Sequence, residues 1–202
     1  MIRIQKADEV EKEFFAPRDF TGSVETVQKI IADVKKNGDR ALHEYSRQFD
    51  VSSPSSFEIP QTEVQAAAEK MKKEKPEIYE SLVYSHDLAL RFALKQKESF
   101  NDFETELEPG LFTGQKTIPV ETAGVYVPAG RFPLVSTVIM TVTPAAAAGV
   151  KNIILCTPPR VHPGDTADGG RPYADEGIMA AAYICGVKHV YACGGSQAVA
   201  AM

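Results

Sequence analysis

Val125-Tyr126-Val127-Pro128-Ala129-Gly130 is the stretch whose reading decides the fold. Two β-branched residues around an aromatic one read as a strand, and Pro-Ala-Gly turns the chain. Ser136 or Thr137 then starts a helix that runs through Ala148 and is ended by Gly149. Asn152-Ile153-Ile154-Leu155-Cys156 reads as a second strand, buried by its apolar run, and Pro158-Pro159 closes it. A loop rich in Gly, Pro and Asp follows from Arg160 to Tyr173. Asp175 then caps a helix through Cys185, stopped by Gly186. His189 to Cys193 is a third strand, and Gly194-Gly195 leads into a helix at Ser196. Such alternation predicts parallel strands with right-handed crossovers, in a sheet that starts at about residue 118. Ligands of such sheets bind at the carboxyl ends of the strands. Three turns lie there: Pro128 to Pro133, Thr157 to Arg160, and Gly194 to Gln197.

Upstream of residue 105 the period is helical. Ser23 is the expected N-cap of a first helix with Val24, Val27, Ile30, Ile31 and Val34 on one face, and Asn37-Gly38 stops it. Asp39 is expected to cap a second helix, carrying Leu42 and Tyr45 and ending near Phe49. A short strand is predicted at Phe57 to Ile59, and a third helix from a Thr62 cap through Met71. Pro76 suits the first turn of a fourth, which would turn Ile78, Leu82, Leu88 and Phe92 to a core. Residues 1–110 are thus expected to form a mainly helical region, and 111–202 an α/β domain, which the family resemblance described below makes a nucleotide-binding one. The chain stops at Met202, about one turn into its last helix, which reads as an interrupted domain.

Composition narrows the function class. Of 202 residues, 44% are hydrophobic and 24% charged, which suits a globular chain rather than a disordered one. The formal net charge is −5, against a nucleic-acid partner. Lys70, Lys72, Lys73 and Lys75 alternate with Glu69 and Glu74 and read as a solvated helix face. The apolar run Val138 to Val150 is too short to span a bilayer, and Met1 to Glu13 is too charged for a secretory signal. A cytoplasmic chain with free thiols at Cys156, Cys185 and Cys193 is expected.

Few residues announce chemistry by themselves. The strand–turn–helix from Tyr191 to Ala201 has the layout of a phosphate-binding turn, without the Gly-x-Gly-x-x-Gly spacing of the dinucleotide fingerprint. It reads equally as a tight turn without a ligand. His43, His86, His162 and His189 show no metal-ligand spacing. Cys156 and Cys193 read as small core hydrophobes. A nucleophile elbow and a Walker loop are both absent.

Three stretches, taken together, resemble the histidinol dehydrogenase family. The first is Asn37-Gly38-Asp39-Arg40-Ala41-Leu42-His43-Glu44-Tyr45-Ser46-Arg47-Gln48-Phe49-Asp50. The second is Ala123-Gly124-Val125-Tyr126-Val127-Pro128-Ala129-Gly130, followed by Pro133-Leu134, Ser136-Thr137-Val138 and Thr143-Pro144-Ala145. The third is Leu155-Cys156-Thr157-Pro158-Pro159, then Ile184-Cys185-Gly186-Val187 and Gly194-Gly195-Ser196-Gln197-Ala198-Val199-Ala200-Ala201. The resemblance implies a helical N-terminal region followed by an incomplete Rossmann-like (aldehyde-dehydrogenase-like) parallel βαβ domain. It implies an NAD- and zinc-dependent oxidation, two successive hydride transfers taking L-histidinol to L-histidine, by a cytoplasmic homodimer. In the family the Tyr of the Tyr-Val-Pro turn and the Gln of the Gly-Gly-x-Gln turn contact the dinucleotide; these are Tyr126 and Gln197 here. Zinc ligands, a Glu-His proton-transfer pair and a cofactor-site Asn would all lie beyond Met202, so no catalytic or metal-ligating residue is expected in this chain, which alone would be inactive.

Three departures from the family pattern bear on the substrate. Ala129 stands where the family's Pro-Gly-Gly turn has a glycine, which leaves the turn geometry open. Arg131-Phe132 is similar to relatives that oxidise other small alcohols, sulfonated diols among them, and the Val161 to Arg171 loop is longer than the biosynthetic enzymes need. A truncated, non-catalytic binding or assembly module is the reading outside enzyme chemistry.

Overall fold

Val125, Leu155 and Val190 alternate with Tyr126, Cys156 and Tyr191 between two faces of one sheet. Both sets are apolar because both faces are covered by helices. The computed structural model describes Lys6, residues 10–17 and residues 21–202. The sheet is built from β1 (Glu58–Ile59), β4 (Thr122–Tyr126), β5 (Asn152–Thr157) and β6 (His189–Ala192). An exposed hairpin of β2 (Phe103–Glu108) and β3 (Leu111–Gln115) stands apart from it. The sheet order is β1-β6-β5-β4. β4 pairs parallel with β5 from Thr122↔Asn152 to Tyr126↔Cys156, and β5 pairs parallel with β6. The parallel βαβαβ unit read from the sequence is therefore present. β1 adds an antiparallel edge, Glu58↔Tyr191 and Ile59↔Val190.

The helices are α1 (Thr21–Asn37), α2 (Asp39–Phe49), α3 (Gln61–Glu74), α4 (Pro76–Lys97), α5 (Val135–Ala148), α6 (Glu176–Ile184) and α7 (Gly195–Ala201). On one face Val138 and Val142 of α5, and Ile178 and Met179 of α6, pack on Val125, Leu155 and Val190, with Val64 and Ala67 of α3 closing the same cluster. On the other face Ile30 and Val34 of α1 and Leu42 of α2 meet Cys156, Cys193 and Ala198. α5 and α6 thus lie on one face and α7 on the other. Helices from the first hundred residues cover both.

Several local expectations need correction. α1 begins at Thr21, which places Ser23 in the first turn rather than at the cap. α2 takes Gly38 as its N-cap, at φ 55°, so Asp39 is the first helical residue. α3 starts behind Pro60, with no side-chain cap from Thr62. α5 starts at Val135, one residue before Ser136 and two before Thr137, the two expected starts. Asp175 does cap α6, accepting the Gly177 N–H at 2.9 Å and the Ile178 N–H at 3.3 Å. In α1 only Ile30 and Val34 of the expected face are buried, because α2 and α7 reach only the C-terminal half of that stripe. α4 differs more: Ile78, Leu88 and Phe92 are exposed, and Ala93 is its buried residue. It packs against α5, and of the expected core face only Leu82 is half-buried.

The Arg160 to Tyr173 loop is tied down at both ends. Ser53 and Asp168 form an isolated parallel bridge, and Arg160 N–H donates to the Tyr173 carbonyl at 2.8 Å. His162 Nε2 lies 3.5 Å from Glu63 of α3, and its ring meets Tyr173 edge-on. Tyr173 donates to Glu176 at 2.9 Å, and Lys70 pairs with the same carboxylate at 2.7 Å. Among the described residues no helix is long and apolar enough to cross a membrane.

Candidate functional site

The carboxyl ends of β4, β5 and β6 open into a cleft of about 590 Å³. It collects residues from all three turns singled out in the sequence, Ala129 and Gly130, Pro158 to Arg160, and Gly195 to Gln197, together with Tyr126 at the end of β4. Parallel pairing makes this inevitable, since strands that run the same way deliver their following turns to the same edge. The remaining wall comes from α1, through Val27 and Ile30, and from Phe49-Asp50-Val51 at the end of α2.

Tyr126 and Gln197 are brought together here. The Tyr126 hydroxyl accepts the Gly195 backbone N–H at 3.1 Å, which ties the end of β4 to the start of α7. Gln197 is 1% exposed, and its Nε2 has no hydrogen-bond partner among the described residues. The same holds for Thr157 Oγ1 at the end of β5. A buried amide nitrogen without an acceptor costs about 1–3 kcal/mol. Such a cost is tolerated where a ligand supplies the acceptor. Gly195 sits at φ 67°, and a Cβ there would meet the Gln197 amide at 2.5 Å, so only glycine lets this side chain fold back over the turn.

Two charged side chains line the cleft. Arg160 donates through Nη2 to the Ala129 carbonyl and so clamps the β4 turn. Asp50 lies against Gly194: a Cβ on Gly194 would come within 2.7 Å of its Oδ1. Burial pushes the Asp50 carboxyl above the ordinary aspartate range, with the Ser46 hydroxyl and the Gly194 N–H pulling the other way. Ser46 Oγ is 3.1 Å from both Asp50 Oδ2 and the Ser52 carbonyl, so its proton serves either.

Ala129 is fully buried and does not occupy the left-handed region, where no non-glycine among the described residues is found. Ala129 therefore carries no positive-φ cost in the Pro-Ala-Gly turn. The glycine turn departs from a free anion cradle. Its Gly195 N–H is held by Tyr126, and its Gly194 N–H faces a carboxylate. Asp50 was not legible as a site residue, because it reaches the cleft only through the packing of α1 and α2 on the sheet.

The two thiols nearest the cleft, Cys156 and Cys193, are buried. Burial pushes Cys156 up to about 11 and Cys193 up to about 12, the latter helped by neighbouring acidic groups. They are packing residues rather than nucleophiles. His43 stacks on Phe57 at 4.3 Å, and His189 pairs with Glu58 at 2.9 Å, both away from the cleft. Among the described residues, no group of three or more His, Cys, Asp or Glu side chains is placed to hold a metal ion.

Comparison with known proteins decides the family. The histidinol dehydrogenase family model matches residues 16–202. The chain belongs to the histidinol dehydrogenase family. It is 42% identical over 178 residues to a sulfopropanediol 3-dehydrogenase of Ruegeria pomeroyi, covering 88% of this chain and 38% of that protein. It is 37% identical over 183 residues to histidinol dehydrogenase of Escherichia coli, covering 88% of this chain and 37% of that protein. A crystal structure of histidinol dehydrogenase from Elizabethkingia anophelis superposes with a TM-score of 0.75 at 30% identity, over 93% of this chain and 39% of that one. The chain thus spans under two fifths of the length of these relatives, and within the family it corresponds to an N-terminal portion.

Proposed function

We propose that this chain is the dinucleotide-binding part of an NAD-dependent oxidoreductase for a small alcohol, with Tyr126 and Gln197 as cofactor contacts. The observation that carries the reading is the buried Gln197 Nε2 without a partner, in the cleft where three parallel strands end. NAD offers carbonyl, ribose and phosphate oxygens for such a donor, and the Tyr126 ring offers a face for stacking. When bound, the nicotinamide would take hydride from the alcohol carbon, once for each of two oxidation steps if the product is a carboxylate. The residues of this chain bind and orient; Tyr126 and Arg160 hold the turns that shape the cleft.

L-histidinol is the substrate we infer from the family and from the Escherichia coli relative. The Ruegeria relative, at 42% identity, favours a second reading, a sulfonated diol. Zinc belongs to the same family reading, and no residue of this chain is assigned to it. A cytoplasmic homodimer is the assembly we propose, supported by the outward apolar side chains of α4 and the β2–β3 hairpin. Heteronuclear NMR titration of the chain with NAD tests the cofactor assignment. Shifts clustering on Tyr126, Gly195 and Gln197 are expected. Shifts confined to another surface, or none at millimolar NAD, would overturn it.

A further inference from the structure

A dinucleotide site on a parallel sheet commonly rests its diphosphate on the free N–H groups of a glycine turn. Here that turn is already engaged, Gly195 by the Tyr126 hydroxyl and Gly194 by the approach of Asp50. A carboxylate at this point repels a phosphate rather than attracting one. Its chemistry suits a neutral group with hydroxyls to donate. A carboxylate has about four acceptor positions; the Ser46 hydroxyl engages one of them, and Gly194 lies close beside Oδ1. Asp50 meets no cation among the described residues; Arg160, the other charge in the cleft, is held at the Ala129 carbonyl.

The neighbours of Asp50 say which end of a dinucleotide this is. Phe49 and Val51 flank it along the chain, and Val27 and Ile30 of α1 line the same wall. A flat, uncharged, mostly apolar ring fits there, and adenine is the end of NAD that matches. A ribose joined to that ring would bring its 2′- and 3′-hydroxyls to the carboxylate.

We propose that Asp50 is the acceptor for the adenosine ribose hydroxyls and the residue that makes the cleft select NAD against NADP. The inference rests on the dinucleotide reading above. It adds a specificity determinant that neither Tyr126 nor Gln197 supplies. Discrimination arises from both sides of the contact: a 2′-hydroxyl gains a charge-assisted hydrogen bond, while a 2′-phosphate meets a half-buried negative charge.

The test is the affinity of the whole chain for NAD, NADP and 2′-deoxyadenosine NAD by isothermal calorimetry, in the native sequence and in Asp50→Asn. Native chain is expected to favour NAD over NADP by at least about tenfold, and over the 2′-deoxy analogue by a similar factor, since a site built around a hydroxyl rejects the analogue lacking it. In Asp50→Asn the NAD/NADP ratio is expected to fall about tenfold or more, chiefly because NADP binding improves. Should the variant fail to fold, the 2′-deoxy arm on native chain still decides. Equal binding of NAD and its 2′-deoxy analogue, or an unchanged ratio in the variant, overturns the role of Asp50 and leaves the dinucleotide site standing. No binding of any of the three overturns both.

Discussion

Tyr126 Oη accepts the backbone N–H of Gly195 at 3.1 Å, joining residues 69 apart in sequence. The bond thereby ties the end of β4 to the turn after β6, across β5, at the edge where a ligand would sit. Tyr126→Phe keeps the ring and removes the acceptor. A loss of about 0.5–1.5 kcal/mol in stability is expected, as for a single net hydrogen bond. NAD affinity should fall several-fold as the two turns part. Urea denaturation and calorimetric titration check this; an unchanged affinity in a destabilised variant would show that the bond serves the fold alone.

Gln197 gives a prediction of opposite sign for stability and binding. Gln197→Met retains the length of the side chain and removes the buried amide nitrogen without a partner. The free protein is expected to gain about 1 kcal/mol, since an unsatisfied buried donor is removed. NAD affinity is expected to fall more than tenfold. Thermal denaturation with and without NAD reads both effects, and a variant that is less stable while binding normally would place Gln197 in the core rather than the site.

The legible and illegible parts of the molecule separate on physical grounds. β5 and β6 were readable because each is an apolar run bounded by Pro158 or Gly186 and Gly194, and parallel pairing then forced their turns together. The hairpin was missed although Phe103-Glu104-Thr105-Glu106-Leu107-Glu108 alternates strictly and Pro109-Gly110 turns it. That period-2 signal was present, but a strand exposed on both faces has no core to announce it. α4 misled for a related reason: its apolar period is real, yet the helix lies on α3 and α5 with Ala93 buried and Phe92 exposed. Asp50 shows the limit most clearly, because no local pattern reports that the residue after α2 will meet the turn after β6.

The three thiols make stability fall in alkali. Burial pushes Cys156 and Cys185 up to about 11 and Cys193 up to about 12, against 9.0 when unfolded. Between those values the unfolded chain releases its thiol protons and the folded chain keeps them. The unfolded state then binds fewer protons, so unfolding free energy decreases as pH rises. The contribution is fully present below about pH 9 and is lost progressively above it, with a slope of up to about 1.4 kcal/mol per pH unit for each thiol. Denaturation between pH 8 and 11 in reductant, compared with Cys193→Ala, measures it. A native chain whose thiols alkylate at pH 8 as fast as those of the unfolded chain would show that they are not shielded.

Three glycines around the cleft should respond to alanine in three different ways. Gly130 has open space where a Cβ would go and an ordinary backbone, so Gly130→Ala should stay within about 0.5 kcal/mol of the native stability. Gly194 also has an ordinary φ of −107°, but its Cβ would meet Asp50 Oδ1 at 2.7 Å and the Pro158 Cα at 3.2 Å. Gly194→Ala must therefore displace the Asp50 carboxylate, and crowding costs of about 1–3 kcal/mol apply. Gly195 adds backbone strain, because its φ of 67° is costly for any residue with a Cβ, by about 1–2 kcal/mol. Its alanine would also drive the Gln197 amide out of place, so Gly195→Ala should lose both stability and NAD affinity. The order of stability Gly130→Ala, then Gly194→Ala, then Gly195→Ala follows from space and φ alone. Chemical denaturation of the three variants gives that order directly. A Gly195→Ala chain as stable as Gly130→Ala would mean that the turn, and with it the path that folds Gln197 over the cleft, is not shaped as described.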